Sequence, residues 1–61
     1  MYEKIEKLMK ERNVNAYQIS KATGIANGSL CDYKHGRSVP KFDKLQILAK
    51  YFGVTVDYFA E

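Results

Sequence analysis

Ala16-Tyr17-Gln18-Ile19-Ser20-Lys21-Ala22-Thr23-Gly24-Ile25-Ala26-Asn27-Gly28-Ser29-Leu30-Cys31-Asp32-Tyr33 is the stretch on which the fold turns. Asn15, just before it, suits an N-cap, and Tyr17 to Thr23 then make a two-turn helix with Ile19, Ala22 and Thr23 as its inward side. Gly24 stops that helix and supplies the positive φ of a sharp turn without a Cβ penalty. Ile25 plugs the turn. A second short helix runs from about Asn27 to Lys34, held by Leu30 and Tyr33. Ser20 is small enough to let the two helices cross closely. Asn27-Gly28 is also a hairpin dipeptide, but its flanks do not alternate, so a helix entry is the better reading. Two stubby helices hinged at a glycine form a helix-turn-helix, motif about 16–35. That design projects the outer face of one short helix clear of the body, at a size suited to a major groove about 12 Å wide.

The flanks repeat the helical period. Tyr2, Ile5, Leu8 and Met9 place a first helix over about 2–12, closed by Asn13, which tolerates left-handed geometry. Arg37-Ser38-Val39-Pro40 reads as a linker, with Pro40 favouring a helix start just beyond it. Phe42, Leu45, Leu48, Ala49 and Phe52 mark the buried stripe of a fourth helix, and Gly53 suits its C′ position. Thr55 caps a last short turn with Val56 and Phe59 inward. Only Val54-Thr55-Val56 looks like a strand. The fold class is all-α with five helices, one domain over 1–61.

The chain of 61 residues has one cysteine, Cys31, so it forms no internal disulfide, and Cys31 with His35 falls far short of a zinc set. A core of this size supplies only about 3–5 kcal/mol of net stability. Charges interrupt every apolar stretch, which excludes a membrane span, and Glu3, Lys4 and Glu6 stand where a signal-peptide core would begin. A cytoplasmic domain is expected. No base–nucleophile pair and no phosphate-binding glycine loop is present, so neither an enzyme nor a cofactor or metal is expected. Ten Lys/Arg against seven Asp/Glu leave a net charge of +3. The acids cluster at the two ends, and the middle is basic, with Lys21, Lys34, Arg37, Lys41, Lys44 and Lys50 against Asp32 and Asp43. That balance fits an anion-facing surface and equally an ordinary solvated one.

Gly24-Ile25, Gly36-Arg37 with Pro40, and Leu45-Gln46-Ile47-Leu48-Ala49-Lys50-Tyr51-Phe52-Gly53-Val54-Thr55-Val56-Asp57-Tyr58-Phe59 carry a resemblance. Over residues 14–59 the chain resembles the Cro/repressor-type (XRE-like) helix-turn-helix family. The resemblance implies a five-helix, lambda-repressor-like domain of a bacterial or phage transcriptional regulator, usually a dimer on a palindromic double-stranded DNA operator. It implies that Asn27, Gly28, Ser29 and Asp32 face base edges and that Asn15 and Tyr17 anchor to phosphate. Lys34, His35 and Arg37 would lie along the backbone on the other side. The family commonly has Gln where Ala16 stands; Gln18 or the Tyr17 hydroxyl is the substitute. Lys34 replaces a common Glu, and Ala26 and Lys41 replace common Ser or Thr caps.

Read singly, these residues keep alternatives. Asn27 either bonds an adenine edge or caps the helix. Gly28 costs about 0.8–1 kcal/mol against Ala in a helix, for which close approach to a duplex or a loose N-terminus is the reason. Ser29 suits a base or phosphate contact. Asp32 accepts from cytosine N4, excludes wrong sequences, or points away. Lys34 and Arg37 are the favoured phosphate contacts; Lys21 is evenly balanced with plain solvation. His35 reads as a helix-terminal polar residue and Cys31 as a partly buried filler. Val54, Val56, Tyr58 and Phe59 are the candidate homodimer contact. The competing function keeps the fold but gives it a protein partner, as in an antitoxin or adaptor.

Overall fold

A computed structural model describes residues 2–60; the domain limits expected at Met1 and Glu61 lie outside them. Five helices follow in order: α1 Tyr2–Arg12, α2 Ala16–Thr23, α3 Asn27–Lys34, α4 Phe42–Phe52 and α5 Val56–Ala60. Among the described residues there is no strand, and Val54-Thr55-Val56 leads into α5 instead.

The helix ends follow from local chemistry. Asn15 Oδ1 accepts from the Gln18 N–H and Gln18 Oε1 accepts from the Asn15 N–H, both at 2.9 Å, so α2 opens with a reciprocal capping box. Asn13 closes α1 at φ 56°, as its tolerance of left-handed backbone suggests, and Gly24 ends α2 at φ 81°. The Thr23 hydroxyl spans the turn, donating to the Ile19 carbonyl at 2.6 Å and accepting from the Ile25 N–H at 3.2 Å.

Ile5, Leu8, Ile19, Ile25, Leu30, Leu48, Ala49, Phe52 and Phe59 form one apolar core to which every helix contributes. No polar or charged residue among those described is buried in it. α2 packs on α3 and α4, and α4 on α5. α1 is tied to the C-terminal half by charged side chains on carbonyls: Lys4 Nζ donates to Tyr58 O at 2.9 Å and Arg12 Nη2 to Phe52 O at 2.7 Å.

Three expectations are corrected. Phe42 is 64% exposed rather than part of the α4 stripe: it opens the helix directly after the linker, one turn short of the neighbours that cover Leu48, Ala49 and Phe52. Ala22 is exposed, because α2 turns Ile19 to the core and Thr23 to its edge. Phe59 is 3% exposed inside the core, so it is unavailable to a second copy.

Candidate nucleic-acid interface

α3 is held by its inner side, where Leu30 is buried and Tyr33 half-buried. Side chains follow one another at about 100° around a helix. Gly28 and His35 therefore centre the opposite face, with Asp32 on one flank and Cys31, Asn27 and Lys34 on the other. Asn27, Gly28, Cys31, Lys34, His35 and Arg37 are exposed and Ser29 and Asp32 half-buried, so no other part of the chain covers the surface expected to meet DNA. A helix with its side chains is about 10–12 Å across, which fits a major groove of about 12 Å, and α3 is eight residues long.

α2, which carries the remaining candidates, packs on α3. Tyr17 is 59% exposed with Lys21 Nζ 5.5 Å from its ring centroid, so one ring orients one ammonium. Asn15 and Gln18 spend their side-chain oxygens on the capping box, which leaves their NH2 groups as donors for a phosphate. Ala16 lines an open groove of about 350 Å³ with Asn27, Cys31, Lys34 and His35. By contrast with α2, the N-termini of α3 at Ala26 and of α4 at Lys41 carry no side-chain cap, so backbone N–H groups in their first turns lack an intrahelical partner. The departures at these two positions are thus real ones.

At the other end of α3, His35 folds back on its own helix. Its Nδ1 lies 3.0 Å from the Cys31 carbonyl, a contact that requires the proton on Nδ1, and 3.6 Å from Cys31 Sγ. Arg37 Nε donates to Asp32 Oδ1 at 2.8 Å, and Arg37 Nη2 lies 3.5 Å from Cys31 Sγ. The hydrogen bond to Asp32 raises the Arg37 pKa above its ordinary value, against an opposing effect of desolvation. Cys31 corrects the sequence reading: it is exposed on the flank of the face rather than a filler. Among the described residues no three His, Cys, Asp or Glu side chains converge as a metal site, and no helix is long and apolar enough to cross a membrane.

A short helix presented across a glycine turn by a five-helix core defines a class, and comparison with known proteins agrees. The chain belongs to the helix-turn-helix family, which it matches over residues 5–59. It is 30% identical over 53 residues to the cryptic phage CTXphi transcriptional repressor RstR of Vibrio cholerae. The similarity covers 87% of this chain and 48% of that protein, so the chain spans about half the length of the curated relative it matches. No solved structure matches it.

Proposed function

We propose that this domain represses transcription by seating α3 in the major groove of an operator, with a second copy on the adjoining half-site. The observation that carries this reading is the outward face of α3, uncovered and followed by Lys34 and Arg37. The repressor name of the Vibrio cholerae relative supports the sign of regulation. Asn27, Ser29 and Asp32 read base edges, and Gly28 lets the helix approach closely. Asn15, Tyr17, Gln18, Lys21, Lys34, His35 and Arg37 hold the phosphates. Phosphate neutralisation supplies most of the affinity and the few base contacts the choice of site.

One module of this size buries only about 600–1,000 Å² on DNA, so a single copy binds weakly and a homodimer on a two-fold site is the working form. Half-sites then lie about one helical turn apart. With Phe59 inside the core, half-buried Val54, Val56 and Tyr58 remain on the tail for that contact. In this reading the domain acts in the cytoplasm, and its role calls on no metal, cofactor or catalytic residue.

Selection of bound fragments from random DNA tests all of this at once. The expected result is a two-fold symmetric consensus, with affinity for it falling steeply as salt rises. Recovery of no consensus, together with salt-insensitive binding to a protein, would transfer the fold to an adaptor role.

A further inference from the structure

Three helices of this fold close in the same way, and the third closure differs in one residue. After α1, α3 and α4, Asn13, Gly36 and Gly53 take left-handed backbone. The next N–H then reaches back five residues: Val14 to Met9 at 3.0 Å, Arg37 to Asp32 at 2.9 Å and Val54 to Ala49 at 2.9 Å. In such closures this next residue commonly packs apolar surface onto the helix it ends. Val14 and Val54 do pack against the core. At α3 the position holds Arg37, whose side chain turns back along the helix onto the Asp32 carboxylate.

Asp32 is the acid of α3, and a bare carboxylate on that face is repelled by phosphate. Arg37 neutralises it, and in doing so is itself withheld from the backbone. The pair is solvent-exposed, with side chains 57% and 45% accessible. Exposed pairs are weak, so exchanging partners costs little here; in a core it would leave a stranded charge.

We propose that Asp32 is a specificity-determining residue that acts through Arg37. On a duplex without a donor for its carboxylate, Asp32 keeps Arg37 on α3 and one phosphate contact is not made. Where a cytosine N4 amino group takes up the carboxylate, Arg37 is released to the phosphate, and base identity is converted into backbone affinity. This rests on the DNA-reading role of α3 proposed above.

The test measures binding of a short random-sequence duplex and of a selected operator by wild type, Asp32→Asn, Arg37→Met and the double variant, each across a salt series. Asp32→Asn should bind random duplex about three- to fivefold tighter, with a log–log salt slope steeper by about 0.9, the value of one added phosphate contact. That added slope should vanish in the Arg37→Met background. Arg37→Met alone should weaken operator binding with a salt slope shallower by about 0.9, the loss of one phosphate contact, and should weaken random duplex as well, through the bared Asp32 carboxylate. An unchanged slope in Asp32→Asn, or the same added slope in the Arg37→Met background, would overturn the proposal and leave plain repulsion. Wild type that binds no duplex even at low salt would overturn the role of α3, and this proposal with it, whereas wild type that binds with Asp32 silent would overturn the proposal alone.

Discussion

Gly28→Ala separates what α3 needs to fold from what it needs to bind. Gly28 stands in the first turn of α3 with ordinary helical backbone: its φ is not among the positive ones. A Cβ built there meets nothing within 4 Å. The fold therefore gains helix propensity at no steric cost, up to about 0.8–1 kcal/mol. In a domain holding about 3–5 kcal/mol that is a large fraction, and it raises the melting temperature by up to about 4–8 °C. If the missing methyl exists so that the helix can press against base edges, the same Cβ crowds the duplex. Overpacking of about 1–3 kcal/mol corresponds to roughly 5- to 150-fold weaker operator binding. Thermal melts followed by circular dichroism, paired with titration of a selected operator, read the two effects separately. A higher melting temperature with unchanged operator affinity would refute the close-approach role; a lower one would refute the helical reading of this residue.

Gly24→Val places a β-branched residue at φ 81° in open space, so its cost is backbone strain of about 1–2 kcal/mol or more, seen as a lower denaturation midpoint; an unchanged midpoint would remove the basis for the turn. Asn27→Ala with Ser29→Ala should abolish preference among operators and keep non-specific binding. Lys34→Ala should weaken all sequences alike and lower the salt slope by about 0.9; equal loss of preference in both sets would contradict the assigned roles. Tyr2 has its pKa raised, first by burial and then by the charges of Glu6 and Cys31. Its protonated form is the one the fold favours, so this stability is complete below the unfolded value of about 10 and is lost as pH rises through the higher folded value. Tyr2→Phe should therefore lose less stability than wild type between about pH 9 and pH 11; parallel curves would discount the effect.

The elements of this protein are written locally. Asn15 with Gln18, Gly24, Asn13 and Gly53 stand where the helices start and stop because caps and left-handed turns depend on a few consecutive residues. The stripe of Ile5 and Leu8 on α1, and of Leu48 and Phe52 on α4, likewise follows from the period of the helix alone. Periodicity does not say how far neighbouring helices extend over a stripe, and there the sequence reading erred. Phe42 and Ala22 lie on helical faces that no neighbour covers, whereas Phe59 lies inward as its period suggests and is thereby lost to a dimer contact.

The outer face of α3 divides in the same manner. That Asn27, Gly28 and Lys34 share a short exposed helix follows from their spacing. That Arg37 closes onto Asp32 follows from the direction in which the chain leaves the helix at Gly36. A sequence determines which helices form, because their hydrogen bonds link residues three to five apart. Only the packed whole decides which side of each helix meets water, because burial is a property of what lies opposite.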